Sequence, residues 1–259
     1  MSELQIISGL IERDATVHKK TCDRHGDYES RNLFRKIWST CPQCAAEEAE
    51  VRRQEERDRE AAERQSRWAC RLGEAGIPER FQDRRLESYS AINSGQKRAL
   101  EFATIYASKF DEVEKTGRCA IFCGAPGTGK THLAVGIGLH VMEAGRLVLF
   151  TTVQRMVRRM KDAWRKDATE SEGDVIGLLV QPDLLILDEI GVQFGTEFEK
   201  NLMFDVLNER YEKRRPTLLL SNLTAKEVKA FLGERVYDRL REDGGECVAF
   251  DWASYRGKQ

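Results

Sequence analysis

The 259-residue sequence has no apolar run approaching the roughly 20 residues that a membrane-spanning helix requires. It has almost no charge excess either. With 42 Lys and Arg against 43 Asp and Glu, its net charge is −1, so any binding to nucleic acid has to come from a local patch. The opening residues Met1-Ser2-Glu3-Leu4-Gln5 lack the basic-then-apolar pattern of a secretory signal, and we expect a cytoplasmic protein. Disulfides are rare in that compartment, so the seven cysteines are read as metal ligands, catalysts or small core residues. The sequence contains no internal repeat.

What is present divides into three zones. Residues 1–46 hold Cys22, His25, Cys41 and Cys44 among polar residues. Residues 47–78 are first dominated by Glu, Arg and Ala, a composition that favours helix through propensity and i,i+4 charge pairs. There is no sustained apolar stripe in that stretch before Trp68 and Leu72, which points to a solvated connector helix, with a partner-docking helix as the alternative. Gly73, Gly76 and Pro78 break the pattern, and residues 79–259 form the third zone.

This last zone alternates helical and strand-like text. Ser94 is placed to cap a helix whose apolar face includes Leu100, Ala103, Tyr106 and Phe110. Four short apolar runs read as buried strands: 119–123, 147–150, 184–187 and 217–220. Thr196-x-x-Glu199 and Thr224-x-x-Glu227 read as capping boxes opening helices between or after them. Continuous apolar strands separated by helices predict an α/β fold with a central parallel sheet covered on both faces.

The strongest motif is the glycine-rich loop Gly124-Ala125-Pro126-Gly127-Thr128-Gly129-Lys130-Thr131, between a predicted strand and a predicted helix. Glycines let the backbone turn tightly and aim its N–H groups inward, and the helix that follows opens with unpaired N–H groups. Lys130 is expected to reach the β- and γ-phosphates of ATP, and Thr131 to hold Mg²⁺. Asp188, after the apolar run 184–187, should support Mg²⁺ through water, and Glu189 should orient or deprotonate the attacking water. An acidic pair after a strand can also be a turn; the upstream phosphate loop favours the catalytic reading. Asn222, after the run 217–220, is a candidate contact to the γ-phosphate or the water, with a turn-forming asparagine as the alternative. Arg235 and Arg239 share one helix face and read either as surface ion-pair partners or as groups reaching a neighbouring subunit's phosphates.

Cys22-x2-His25 and Cys41-x2-Cys44 make two ligand pairs suited to a tetrahedral Zn²⁺ site of structural type. The alternatives are scattered core cysteines, or His18 in place of His25. A region this short cannot bury a core, so the metal would supply its folding energy. Cys70, Cys119, Cys123 and Cys247 have no partner spacing and are read as small buried residues.

Across residues 79–259 these elements, in this order, resemble the AAA+ P-loop ATPases, and within them the bacterial and phage helicase loaders of the DnaC type. Transposase-helper ATPases of the IstB type and the initiator DnaA are relatives. The matching text is 75–78 (Ala-Gly-Ile-Pro), Gly127 to Ala134, 187–191, 220–223, Gly233 to Leu240, and the closing Phe250-Asp251-Trp252-Ala253-Ser254-Tyr255-Arg256. The phosphate loop is shared by many families; the closing aromatic stretch with the Gly-Glu-Arg block is far more restrictive.

The resemblance implies that Asn222 is the sensor-1 residue, that Arg239 is the trans-acting finger with Arg235 as second candidate, that Arg256 is a sensor-2 candidate, and that His132 belongs to the nucleotide-contacting text. It further implies a spiral oligomer on single-stranded DNA. The N-terminal region would engage a replicative ring helicase of the DnaB type. The rival is a transposase-helper ATPase. A binding module with a dead nucleotide site is argued against by Lys130, Thr131, Asp188 and Glu189. In such loaders the region of residues 153–166 lines the DNA channel. Here Met156, Met160 and Trp164 form an apolar stripe flanked by Arg155, Arg158, Arg159, Arg165 and Lys166. A basic groove of this kind tracks phosphates; an amphipathic helix with a solvated basic face is the alternative.

Overall fold

The computed structural model describes residues 17–34, 37–72, 76–191 and 196–255; side chains of residues 33–34, 61 and 64–72 lie outside that description. The chain divides into two compact units, Met1–Ala61 and Ala62–Gln259. No helix among the described residues is long and apolar enough to cross a membrane.

In the first unit, β1 (Val17–Cys22) and β2 (Gly26–Phe34) form an antiparallel hairpin, and β3 (Ile37–Trp38) adds to β2. Helix α1 (Pro42–Leu72) begins beside Cys41, with proline in its first turn, where a missing N–H costs nothing. Its described side chains from 45 to 60 are exposed all round except Ala49, as a solvated helix requires. Among the described residues of this unit only Ser30 and Cys41 are fully buried, so the hairpin has almost no apolar core.

The second unit is a five-stranded, all-parallel sheet in the order β5-β6-β7-β4-β8. The strands are β4 (Ala120–Gly124), β5 (Val148–Thr152), β6 (Leu184–Ile190), β7 (Thr217–Ser221) and β8 (Glu246–Phe250). Strand residues alternate between two cores. Ala120, Phe122, Leu184, Ile186, Leu218 and Leu220 join α2 (Ser94–Ser108), α3 (Phe110–Thr116) and α4 (Lys130–Glu143) on one face. Ile121, Cys123, Leu185, Leu187 and Leu219 face α5 (Val153–Ala163), α6 (Glu172–Val180), α7 (Glu197–Glu212), α8 (Ala225–Leu232) and α9 (Glu234–Arg241) on the other. Burial on both faces is why these strands read as unbroken apolar runs.

Several local expectations are corrected. The cap of α2 is Asn93, not Ser94: its side chain accepts from the Gln96 amide, and Gln96 reaches back to Asn93 N. The helix breaks at Lys109, so Phe110 opens α3 and does not continue the α2 face. Thr224 forms the full capping box with Glu227, whereas Thr196 makes only its hydroxyl half, accepting from Glu199 N. The fifth strand, β8, was not anticipated. It starts with an exposed Glu246 and lies at the sheet edge, where burial is partial and the apolar signal weak. Cys119 and Cys123 are buried as expected, but Cys123 and Cys247 do have a partner. Their sulfurs lie 3.4 Å apart across β4 and β8. Cys70 falls outside the described side chains.

One buried cation fastens the sheet to the helices behind it. Arg210 of α7 is fully buried and donates to Thr217 Oγ1 (2.9 Å) and to the carbonyls of Leu179 (3.1 Å), Val180 (3.0 Å), Pro182 (3.0 Å) and Pro216 (2.5 Å). The planar five-donor guanidinium suits such a ring of acceptors, which an ammonium could not satisfy.

Candidate nucleotide and metal sites

The loop 124–129 leaves β4 and ends at the first residue of α4. Gly124 has φ +126, and a Cβ there would come within 2.3 Å of the Phe250 carbonyl oxygen of β8, so the start of the loop admits only glycine. Lys130 is buried, and its Nζ donates to the Gly124 and Ala125 carbonyls at 2.8 Å each, which holds the ammonium inside the loop. Thr128 closes the turn by donating from Oγ1 to Ala125 O (2.8 Å).

Sheet order explains how the remaining groups converge. β7 lies between β4 and β6, so its carboxyl end falls between the loop and the acidic pair. Ser221 donates to Ile190 O (2.6 Å) and Gly124 N donates to Leu223 O (2.9 Å), which ties all three strand ends together. Asn222 is exposed at that junction. β6 runs on through Asp188 and Glu189, and its register against β7 slips between Leu187 and Ile190. The pair thus sits in a bulge, a device that re-aims side chains beside functional sites. Glu189 is exposed and left-handed, with φ +63. Asp188 accepts from Thr131 Oγ1 (3.1 Å) and from Glu189 N (2.7 Å). Burial raises its carboxyl above the ordinary range, against the pull of those donors and of Lys130. Thr131 and Asp188 are therefore in contact, as two groups sharing one hydrated Mg²⁺ must be nearly so.

His132 is placed differently from the other loop residues. Its Nε2 lies 2.9 Å from Arg85 O and 3.2 Å from Ser88 Oγ, and its ring meets Tyr89 edge-on. Its side chain is spent on the 85–89 segment, so its share in the loop is its backbone. Burial lowers its pKa.

On α9, Arg239 donates to Asn208 Oδ1 (2.7 Å) and lies 5.0 Å from the Tyr211 ring, while Arg235 is exposed. Arg256 is outside the described residues. In the basic segment Met156, Val157 and Met160 are buried as expected, but the stripe stops there. α5 ends at Ala163, and Trp164 is 53% exposed, packed on Phe198 and donating to Glu172. Arg159 is held by Glu170 in a two-point pair (2.8 and 2.5 Å), whereas Arg155, Arg158, Arg165 and Lys166 are exposed. A groove of about 380 Å³ places Arg158, Lys161 and Lys200 beside Val157, Phe231 and Glu189.

In the N-terminal unit, Cys22 and His25 flank the β1–β2 turn and Cys41 and Cys44 open α1. Their four ligand atoms lie within 4.8 Å of one another. His25 Nδ1 is 3.8 Å from Cys22 Sγ, 3.7 Å from Cys41 Sγ and 3.2 Å from Cys44 Sγ, and the Cys22 and Cys44 sulfurs are 3.6 Å apart. A tetrahedron around zinc has S···S edges of about 3.8 Å and S···N edges of about 3.5 Å. The four groups fit that ion. His25 turns Nε2 to Glu47 (3.1 Å), the carboxylate support typical of a metal-bound imidazole. Backbone amides of Arg24 and His25 bring the Cys22 thiol down to about 6. His18 stands apart from the cluster, edge-on to Trp38.

Residues 53–259 match the model of the family described as IstB-like ATP binding protein. The chain belongs to that family. The match spans the whole phosphate-loop unit, and this IstB-like chain has the AAA+ ATPase core. It is 39% identical over 186 residues to the replicative helicase loader DnaC of Escherichia coli K12, covering 71% of this chain and 74% of that one. It is 36% identical over 185 residues to the DnaC of Buchnera aphidicola from Schizaphis graminum, with the same shares covered. Among solved structures, the DnaC helicase loader superposes with a TM-score of 0.58 at 24% identity, over 66% of this chain and 98% of that one. DnaI superposes with a TM-score of 0.57 at 19% identity, over 70% and 94%. These two likenesses establish the fold.

Sequence reasoning missed Tyr89, Ser221 and the hydrogen-bonding role of Trp252. Trp252 was legible as part of the closing aromatic stretch, but its partner is 124 residues away.

Proposed function

We propose that the chain is an ATP-driven loader of a replicative ring helicase onto single-stranded DNA, acting in the cytoplasm as a spiral oligomer. The similarity to replicative helicase loaders over 71% of the chain carries this reading. The convergence of Lys130, Thr131, Asp188 and Glu189 at one end of the sheet supports a working nucleotide site. In it the loop amides and Lys130 bind the ATP phosphates, Thr131 and Asp188 hold Mg²⁺, Glu189 activates water and Asn222 positions it. Arg239, with Arg235 beside it, completes the site of the next subunit. Arg155, Arg158, Arg165 and Lys166 meet the DNA backbone, while Arg159 is held in its ion pair with Glu170. The zinc-bound hairpin, held by Cys22, His25, Cys41 and Cys44, engages the helicase together with α1. The family's IstB-like description favours a transposase-helper ATPase as the second reading.

Loading is tested on a closed circular single strand, read as ATP-dependent unwinding of an annealed oligonucleotide by added ring helicase. The intact chain should support it, and Glu189→Gln should bind ATP normally while hydrolysing it about 100-fold or more slowly. Stimulation of a transposase, with none of the helicase, would decide for the second reading.

Arg239→Ala should leave ATP binding by the isolated chain unchanged and slow hydrolysis in the assembled oligomer by about 100-fold or more. Unchanged turnover in the oligomer would remove Arg239 from the site and leave it as a clamp on Asn208 and Tyr211.

A further inference from the structure

A phosphate loop works only if its peptide planes are turned the right way. For the Gly129 N–H to face a phosphate, the Thr128 carbonyl of the same peptide has to face away from it. An outward carbonyl that is buried needs donors of its own. Thr128 is 2% exposed, and its carbonyl oxygen accepts two hydrogen bonds from distant parts of the chain: Trp252 Nε1 at 2.9 Å and Tyr89 Oη at 3.3 Å. The neighbouring Gly127 carbonyl accepts from Tyr255 N at 2.9 Å. Thus the segment after β8 and the segment before α2 both grip the outside of the loop.

Both donors are themselves fixed. The Trp252 ring packs on Phe250 (centroids 4.8 Å apart) and meets the first turn of α2 at Gly95. A Cβ on Gly95 there would come within 3.0 Å of the indole. The Tyr89 ring covers Gly129, where a Cβ would come within 2.7 Å of it, and meets His132 edge-on. Each ring thus sits where packing, not chance rotation, aims its polar atom at Thr128 O.

We propose that Trp252 and Tyr89 are positioning residues of the phosphate loop: together they hold the Thr128–Gly129 peptide with its N–H turned to the bound phosphates. The proposal rests on the reading of Gly124–Thr131 as that loop. Two donors share one acceptor, so either alone keeps the carbonyl satisfied. Losing both leaves a buried carbonyl free to rotate inward and displace the amide. Removal should therefore be strongly non-additive.

The test is the affinity of the full chain for Mg·ATPγS and Mg·ADP, measured by calorimetry, with the unfolding midpoint taken without nucleotide. Trp252→Phe keeps a ring on Phe250 and loses the N–H; Tyr89→Phe loses only the hydroxyl. Each single change should weaken binding about 3-fold, and the pair about 30-fold, well beyond the product of the two. The midpoints should move by no more than about 2 °C, a shift too small for general loosening. Lys130→Ala should lose binding altogether. If it does not, the loop reading itself fails. If it does, and the double variant binds within 2-fold of wild type or at the product of the singles, the positioning role is overturned. Should the double variant fail to fold, the wild-type chain supplies the answer. Exchange of the Trp252 indole proton should slow when Mg·ATPγS binds, and unchanged exchange overturns the proposal.

Discussion

Replacing Arg210 with methionine is expected to lower the unfolding midpoint of the ATP-binding unit by about 10 °C, the largest stability effect of any single side chain discussed above. Methionine fills the aliphatic part of the space but donates nothing to Thr217 Oγ1 or to the carbonyls of Leu179, Val180, Pro182 and Pro216. Several buried acceptors would lose their partner at once, at a combined cost of about 3–5 kcal/mol. Arg210→Lys should recover little, because one ammonium cannot span acceptors arranged around a planar fork. Thermal unfolding followed by circular dichroism is the measurement. A midpoint within 2 °C of wild type would mean that water or rearranged backbone replaces the guanidinium.

If the Cys22–His25–Cys41–Cys44 cluster holds zinc as proposed, removing the metal should unfold the N-terminal hairpin while leaving the ATPase unit folded. Ser30 and Cys41 are the only fully buried residues described there, so packing cannot hold β1 and β2 against the start of α1. Zinc binding at a site of this type contributes about 10–16 kcal/mol of apparent free energy, far more than the remaining contacts supply. The double variant Cys41→Ser, Cys44→Ser should retain no zinc by atomic absorption. The amide resonances of residues 17–38 should collapse to unfolded positions, whereas the unfolding midpoint of the second unit should hold within about 2 °C. It should also bind the ring helicase weakly while hydrolysing ATP normally. A hairpin that keeps its dispersed resonances after chelation would show that the Cys22–His25–Cys41–Cys44 cluster folds without an ion.

The parts of this molecule that were legible in the sequence are those whose chemistry restricts residue type locally. The run Gly124–Thr131 could be read because Gly124 and Lys130 each have one physical task that few residues perform. Four strands could be read because burial on both faces leaves an unbroken apolar run. β8 could not, because an edge strand with exposed Glu246 and half-buried Cys247 and Val248 carries no such run. The cluster of Cys22, His25, Cys41 and Cys44 was legible from spacing, whereas the choice of His25 over His18 is geometric, since only His25 closes the cluster. The apolar stripe stops short of Trp164 for a tertiary reason: that ring packs on Phe198 and donates to Glu172 beyond the end of the helix. Tyr89, Trp252 and Arg210 act through partners reached only by folding, and no spacing rule reports them.

The left-handed backbone at Glu189 gives one position two opposed demands. A side chain in that conformation costs about 1 kcal/mol or more, which glycine would not incur. Glu189→Gly should therefore yield a protein that unfolds later than wild type and turns over almost no ATP. A search for thermostable variants would select it, and a search for growth would reject it. A carboxylate on an unfavourable backbone is what the proposed role of Glu189 in activating water would require, at the expense of the strand that carries it.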